Sequence, residues 1–291
     1  MTTQTQASKE AMVTAPAERI LCAVDLRRRS VAALCAARAL AERWSARLEL
    51  LCAADIPAFL NQNEGTQEER RQLDDFRRRL QMRMQTFAGT DLPCWVRDGP
   101  ADEAIVEAAR ERSCGLIAMG THGRSGISRA VLGSTAEAVI AETGVPVLVV
   151  PRWSDGGWPR KVLVPMKFTD YADRALLYAD AFARSVKASL GVLHVAESAL
   201  EEQSAHELRR HVEELTAGSA LFIAQHSRYE PAEAILREAE LGGYDLIVMA
   251  AHRKPFWREW RFGMTVQRLL RYSSLPVLSV GTAGRPEPGT P

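Results

Sequence analysis

An internal duplication is the feature that most restricts what this chain can fold into. The segment LIAM at 116–119 recurs as LIVM at 246–249, and VPVL at 145–148 recurs as LPVL at 275–278, in both cases 130 positions later. The earliest apolar segments of the two copies are 142 positions apart, so the second copy is 12 residues shorter. Solenoid units repeat every roughly 20 to 50 residues, and the much longer period found here indicates two duplicated domains.

Within each copy, short apolar runs alternate with amphipathic helical patterns. This alternation predicts an α/β fold in which helices cover both faces of a parallel sheet. In the first copy we expect strands near 19–25, 47–54, 93–98, 115–119 and 145–150, and helices near 30–45, 67–87, 100–113 and 132–142. In the second copy a helix is expected to begin at Thr169 or Asp170, because apolar residues with the spacing of one buried face follow.

The duplication divides the 291 residues into two domains, which we place at 17–151 and 160–281. Between them, the segment 152–159 contains two Gly, two Trp and one Pro, and we expect it to be a linker. The tails 1–16 and 282–291 are expected to be disordered.

The last strand of each domain is expected to lie at an edge of its sheet. The strands near 145–150 and 275–280 can pair within one chain, which makes the chain a pseudo-dimer of its own domains. They can equally pair between chains, which makes a homodimer. The sequence leaves both arrangements open.

Composition and charge restrict the classes of partner. A formal net charge of +1 and a pI near 7.7 give no overall field to attract nucleic acid or a membrane surface. No apolar run approaches the roughly 18 residues that span a bilayer, and the first residues lack the hydrophobic segment of a secretion signal, so we expect a cytoplasmic protein. Neither cysteines nor histidines have the spacing of a metal site, and we interpret the cysteines as small buried apolar residues: Cys22, Cys35, Cys52, Cys94 and Cys114.

A glycine-rich segment follows the apolar run at 116–119 and has the spacing Gly120-x2-Gly123-x9-Gly133-Ser134. A glycine-rich turn between a strand and a helix is a common phosphate site, because backbone N–H groups converge there and the helix N-terminus adds partial positive charge. Taken alone, such a turn can also be a sharp bend that binds no ligand.

A second candidate loop, Val24-Asp25, follows the first strand. Ligands of open parallel sheets bind beyond the carboxyl ends of the strands, where the strand order reverses. If the first and fourth strands are neighbours, Asp25 lies at one end of a crevice and the glycine-rich segment at the other. This polarity suits a nucleotide, because a carboxylate accepts from an adenine amino group or a ribose hydroxyl but repels phosphate. Alternatively, Asp25 is only a turn or cap residue.

Together, Asp25 and the glycine spacing resemble the motif of ATP-binding universal stress proteins, in their tandem two-domain form, over nearly the whole chain. The resemblance implies five-stranded parallel sheets of order 3-2-1-4-5, ATP or AMP as the ligand, Mg²⁺ as a candidate companion, and stress-response regulation through an unidentified partner protein. It also implies a set of nucleotide-binding residues: Val24, Asp25, Ala53, Met119, Gly120, His122, Gly123, Arg124, Gly133, Ser134 and Thr135.

The chain departs from that family pattern in three respects, one of which is that Ala53 is smaller than the valine often found at its position. Many members have Gly-Ser after the aspartate, whereas this chain has Leu26-Arg27-Arg28-Arg29, which narrows the pocket or adds positive charge near phosphate. In the second copy most of the motif is replaced, and only Gly263, which corresponds to Gly133, is kept. The replacements are Lys167 for Asp25, Ala250 for Gly120, Arg253 for Gly123 and Met264 for Ser134. We therefore expect the second domain not to bind nucleotide in the same manner.

The loop 254–262 of the second copy concentrates Arg, Trp and Phe residues, which are common at protein–protein contacts. It can contact a partner, pack over the vacated pocket, or simply fill its own domain.

Three classes of function remain open. The first is a nucleotide-sensing regulator, and the second is a slow ATPase or nucleotidyl-transfer enzyme. Against the enzyme stand the lack of a GxxxxGK[ST] motif and of an acidic cluster for catalytic Mg²⁺ beyond Asp25. The third is an interaction scaffold that binds no ligand.

Overall fold

In the computed structural model, the described residues are 15–54, 66–89, 92–121, 133–152, 158–196, 201–251 and 263–281, without the side chains of residues 28, 29 and 226. Several sequence-based expectations lie outside these residues. They are the ligand roles of His122, Gly123 and Arg124, the arginine at position 253, the loop 254–262, and the state of the tails at 1–14 and 282–291.

In the first copy, strands and helices alternate along the chain. They are β1 (Arg19–Ala23), α1 (Arg28–Trp44), β2 (Arg47–Ala54), α2 (Gln67–Ala88), β3 (Cys94–Asp98), α3 (Ala101–Glu111), β4 (Leu116–Gly120), α4 (Ser134–Glu142) and β5 (Val147–Val150). Local signals fix several ends. Thr66 and Glu69 form a reciprocal capping box at the start of α2, and Gly89 ends that helix in the left-handed region at φ 65°.

The second copy repeats the series. Its elements are β6 (Lys161–Pro165), α5 (Asp170–Val186), β7 (Ser189–Ala196), α6 (Glu202–Thr216), β8 (Ala220–His226), α7 (Pro231–Leu241), β9 (Leu246–Ala251), α8 (Met264–Tyr272) and β10 (Val277–Gly281). Thr169 is the N-cap residue of α5, although its hydroxyl makes no capping hydrogen bond. The buried face expected for this helix is present, because Leu176, Phe182 and Val186 are at most 2% exposed.

One ten-stranded sheet joins the two copies, with the order β3-β2-β1-β4-β5-β10-β9-β6-β7-β8. Each half has the expected order 3-2-1-4-5, and strand pairs within each half are parallel. The halves meet where β5 pairs antiparallel with β10, with Leu148 opposite Leu278. Of the two pairings left open by the sequence, the structure therefore shows the one within a single chain.

Helices cover both faces of the sheet and bury one continuous core on each. One core lies under α1, α2, α5 and α6, and the other lies under α3, α4, α7 and α8. Between the copies, the ring of Trp44 on α1 meets Phe182 on α5 edge-on at 5.5 Å, and its indole N–H donates to Ser185 Oγ at 2.9 Å. Helices α1 and α5 therefore contact each other at their carboxyl ends.

The carboxyl end of the expected linker packs onto the second copy. Trp158 is only 5% exposed, and its indole N–H donates to the carbonyl oxygen of Asp245 at 2.8 Å. Four of the five cysteines are buried and the fifth, Cys35, is half-buried. Burial raises the pKa of the Cys22 thiol to about 12, so this group is neutral at physiological pH, as expected of a small core residue.

The amino-terminal edge of the first half contains a buried carboxylate. The side chain of Glu49 on β2 is fully buried, and its carboxylate receives the indole N–H of Trp95 at 3.0 Å. Guanidinium groups surround it, with Arg19 at 3.5 Å, Arg47 at 3.2 Å and Arg112 in hydrogen-bonding contact. Burial alone would raise the pKa of Glu49, but the hydrogen bond and charge of Arg112 and its other donors hold it below its ordinary value.

The corresponding position of the second half is Gly191, where the ring of Tyr244 occupies the space. A Cβ atom on Gly191 would lie 2.2 Å from Tyr244 Oη. The ammonium of Lys161 lies 4.4 Å from the centre of the same ring. An ionic network in the first copy is thus replaced by an aromatic side chain in the second.

Candidate functional site

A cavity of about 470 Å³ opens at the carboxyl edge of the first half, where β1 and β4 are neighbours. Eight of the eleven residues expected to bind nucleotide line it, and the other three lie outside the described residues. The eight are Val24, Asp25, Ala53, Met119, Gly120, Gly133, Ser134 and Thr135. Topology explains this convergence, because the two loops leave adjacent parallel strands at the same edge.

Asp25 sits in a tight turn between β1 and α1. Its backbone N–H donates to Ser30 Oγ at 3.0 Å, while its Oδ1 accepts from the backbone N–H of Arg27 at 3.0 Å and from the Ser30 hydroxyl. The other oxygen, Oδ2, is buried and has no hydrogen-bond donor among the described residues, since Arg27 Nε is 4.0 Å away. A buried acceptor in this state is costly, so a ligand N–H or O–H placed there would be favoured.

Leu26 completes this turn with φ at 58°, in the left-handed region that favours glycine. Its side chain packs against the core beneath α1. Many members of the family that the sequence resembles have glycine at this position. Here the backbone has the left-handed conformation that favours glycine, although the residue is leucine. The structure does not describe the side chains of Arg28 and Arg29. That they narrow the pocket or add positive charge near phosphate therefore stays a prediction.

Two helix N-termini also line the cavity. The backbone N–H of Gly133 donates to Thr121 O at 2.6 Å, so the end of β4 and the start of α4 are in direct contact. Gly133 is the N-cap residue of α4. Its carbonyl oxygen accepts hydrogen bonds from the backbone N–H groups of Ala136 and Glu137, the first such bonds of the helix. The earlier amides at the start of α4 have no acceptor within a helix and carry partial positive charge.

Helix α3 supplies the second N-terminus, through residues that the sequence analysis did not select. Gly99 has φ 103°, Pro100 is the N-cap residue, and Ala101 begins the helix. All three line the cavity. A Gly-Pro pair directly before a helical pattern was the available signal, because Pro is favoured at a helix start. Ser30, the partner of Asp25, was also missed.

The second half has a cavity at the equivalent place, with a volume of about 230 Å³. The residues that replace the first-copy lining are larger and apolar at four positions: Met166 for Val24, Val195 for Ala53, Ala250 for Gly120, and Val266 for Ala136. These substitutions account for the smaller volume, since each adds at least one non-hydrogen atom to the wall.

Polar groups of the first cavity are also replaced. Lys167 stands in place of Asp25 and Ala172 in place of Ser30, so the aspartate and serine pair has no counterpart. Gly263 and Thr265 keep the identities of Gly133 and Thr135 and line the second cavity. The backbone is retained as well, since Met166 N donates to Leu193 O at 2.9 Å where Val24 N donates to Leu51 O at 2.8 Å.

The described part of the chain lacks two features that would indicate other kinds of function. No group of three His, Cys, Asp or Glu side chains lies close enough to share a metal ion there. None of the described helices combines the length and apolar character that a bilayer crossing requires.

Two half-sheets of order 3-2-1-4-5, each with a cavity at its carboxyl edge, define a tandem α/β protein. The family model of the universal stress protein family matches residues 16–151 and again 159–281. The chain belongs to the universal stress protein family, with two copies of its domain.

Individual relatives agree with this assignment. A universal stress protein of Thermus aquaticus is 32% identical over 135 residues, which is 45% of this chain and 96% of the relative. A universal stress protein of Methanocaldococcus jannaschii is 51% identical, but over only 53 residues, 18% of this chain and 31% of that protein. The chain thus spans about a third or less of the length of some curated relatives that it matches, including a Haemophilus influenzae protein at 17%.

Solved structures support the tandem arrangement. The structure of a universal stress protein from Archaeoglobus fulgidus superposes with a TM-score of 0.68 at 21% identity, and covers 91% of this chain and 98% of its own. At this identity the likeness establishes the fold, while the ligand must be argued from the residues of this chain.

Proposed function

We propose that the first-domain cavity binds ATP or AMP and that the chain is a nucleotide-responsive regulator of the universal stress type. The observation that carries this proposal is the polarity of one cavity. Asp25 Oδ2, a buried carboxylate oxygen without a hydrogen-bond donor among the described residues, and the N-terminus of α4 line the same cavity, on the loops that leave the neighbouring strands β1 and β4.

The carboxylate end suits the nucleoside. An adenine amino group or a ribose hydroxyl donates, and Asp25 Oδ2 is a buried acceptor that lacks a donor among the described residues. Ala53 and Met119 supply apolar surface for a flat ring beside it. The Ser30 hydroxyl and the Arg27 amide hold the carboxylate in place through Oδ1.

The helix end suits phosphate. The amides of Ser134 and Thr135 precede the first helical hydrogen bonds of α4, and anions are stabilised at such N-termini. ATP would bring Mg²⁺ with it, and since Mg²⁺ keeps several waters and binds mainly through phosphates, it needs no cluster of protein ligands here. We expect at most weak ATP hydrolysis.

Helix α1 connects this cavity to the second domain. It starts beside Asp25 and runs 17 residues, about 25 Å at 1.5 Å per residue, to the contact between Trp44 and Phe182. A nucleotide that binds two arrangements of this contact with different affinities would shift their populations. The second domain, with Lys167 and Ala250 at the key positions, is proposed to bind no nucleotide in this manner and to serve pairing or partner contact.

The test is a proline substitution at the first helical residue of α4. Ser134→Pro removes one amide donor at a position where helices accept proline, because that N–H has no partner within the helix. Loss of a hydrogen bond to a charged group costs about 1.5 to 3 kcal/mol, so we expect calorimetric affinity for ATP to fall by about 10- to 100-fold.

The matched control is Met264→Pro, at the first residue of α8 in the second copy. It should leave ATP affinity unchanged. Unchanged ATP binding in Ser134→Pro, with the helix content of the wild type by circular dichroism, would contradict the proposal. Phosphate release under saturating Mg-ATP distinguishes the regulator from a slow ATPase.

A further inference from the structure

The second-domain cavity has its own chemistry, which differs from that of the first. We propose that it binds a small apolar monocarboxylate, held by its hydrocarbon part in the cavity and by its carboxylate at Lys167. This inference goes beyond the proposed function, because it concerns the half of the chain to which no nucleotide is assigned.

Most of the side chains that line the cavity are apolar. Its wall is built from side chains of β6, β7, β9 and the helices α7 and α8: Pro165, Met166, Leu193, Val195, Ile235, Met249, Val266 and Leu269. Tyr171, Thr265 and Lys167 are the lining side chains that carry polar atoms in the described part of the chain. Such a site binds mainly by burial of apolar ligand surface, with few polar groups fixing orientation.

The volume favours a small ligand. An apolar cavity of about 150 Å³ is enough to bind benzene. At about 230 Å³, the second cavity is larger than that but half the size of the first, at about 470 Å³. A ligand on the order of ten non-hydrogen atoms matches this space, within the range where small ligands bind efficiently per atom.

The charge at the mouth favours an anion. Lys167 is exposed, and among the described residues its ammonium forms no ion pair. Thr265 lies in the first turn of α8, whose N-terminus adds partial positive charge to the same rim, and Gly263 before it leaves open space on its Cβ side. The described wall of this cavity contains no carboxylate, whereas the first cavity has Asp25.

Octanoate is a suitable probe, with ten non-hydrogen atoms and a single carboxylate. Binding to the full chain can be followed by NMR after ¹³C labelling of the methionine methyl groups. Met166 and Met249 line the second cavity and Met119 lines the first, so the label reports which cavity is occupied. We expect saturable shifts of Met166 and Met249 and none of Met119.

Two pairs of variants test the two parts of the proposal. Lys167→Met should weaken octanoate binding about three- to fivefold, because it removes a partly solvated ion pair. Its control is Lys187→Met, which changes an exposed lysine at the opposite end of α5 and should leave octanoate binding unchanged. Val266→Phe fills the cavity from a half-buried helix position and should reduce binding at least tenfold. Met264→Phe, on the same helix but 63% exposed and outside the wall, should leave binding unchanged.

The neutral and cationic analogues 1-octanol and octylamine complete the test, and both should bind more weakly than octanoate. Three results would overturn the proposal. The first is that the Met166 and Met249 signals do not shift at octanoate concentrations up to about 10 mM. The second is that octylamine shifts them as much as octanoate does, and the third is that only the Met119 signal shifts. Because these readouts involve no nucleotide, they are independent of whether the first domain binds ATP.

Discussion

The two copies of one fold in this chain differ at both edges of the sheet. At the carboxyl edge, Asp25 and its roomy cavity in the first half correspond to Lys167 and a smaller apolar cavity in the second. At the amino edge, buried Glu49 corresponds to Gly191 beneath the ring of Tyr244. The strand order and the core faces are shared, so the comparison shows that polar groups at strand ends can change while the sheet is retained.

We expect the largest effect on stability at Gly191, where adding one methyl group tests whether the Tyr244 ring fills the space that Glu49 fills in the first copy. Gly191→Ala would place a Cβ atom 2.2 Å from Tyr244 Oη and 2.8 Å from the ring, so the buried ring must move. Overpacking of this kind costs about 1 to 3 kcal/mol, and we expect the upper part of that range in urea unfolding.

A double-mutant cycle supplies the control. With Tyr244→Ala as background, the same Gly191→Ala change should cost less than about 1 kcal/mol, because the clash is absent. If Gly191→Ala lowers the free energy of unfolding equally in the wild type and in Tyr244→Ala, then the Tyr244 ring does not fill the space beside Gly191 that the Glu49 side chain fills in the first copy.

The next effect concerns Glu49 and depends on pH. Glu49→Gln should lower the free energy of unfolding at pH 7 by about 2 kcal/mol, below the 3 to 5 kcal/mol of fully buried pairs, since the surrounding arginines reach solvent. In the folded state Arg112 and the other donors hold the pKa of Glu49 below its ordinary value of 4.5. The stabilisation is therefore present above pH 4.5 and is lost as pH falls through the folded pKa.

Urea unfolding of wild type and Glu49→Gln between pH 7 and pH 3.5 measures this difference. The two curves should be separated by a constant amount above about pH 5 and converge below it. A separation that grows toward low pH would have the wrong sign for an ionised Glu49.

The smallest effects should be equal in the two copies. Ser45 and Lys187 occupy equivalent positions after α1 and α5, and both have left-handed backbones, with φ 54° and 58°. Glycine is free of the Cβ penalty there, so Ser45→Gly and Lys187→Gly should each raise the free energy of unfolding by about 1 kcal/mol. Thermal unfolding of both variants checks whether the shared framework responds alike, and opposite signs would contradict it.

Much of the fold follows from local patterns in the sequence. The alternation of apolar runs and helices predicted the strand positions within a few residues, because buried parallel strands read as continuous apolar segments. Strand β1 ends at Ala23, two residues before the expected end at 25, since Asp25 turns to meet Ser30. The strand order came from the family resemblance, whereas the choice of pairing β5 with β10 inside one chain required the structure.

The lining of the first cavity was predictable from the sequence only where a motif contributes to it. Glycine spacing located Gly120, Gly133 and Ser134, whereas the start of α3 reaches the cavity only through the crossover after β3. The apolar second cavity has no motif, because its character comes from side chains spread over several elements. Glu49 was also missed, since a charged residue in a strand usually faces solvent.

The number of nucleotides bound per chain tests the central claim most directly. Equilibrium dialysis with radiolabelled ATP should give one site per chain in the wild type and in Met264→Pro, and a strongly weakened site in Ser134→Pro. Two equivalent sites per chain, or a single site weakened by Met264→Pro and retained in Ser134→Pro, would contradict the assignment of the nucleotide to the first copy.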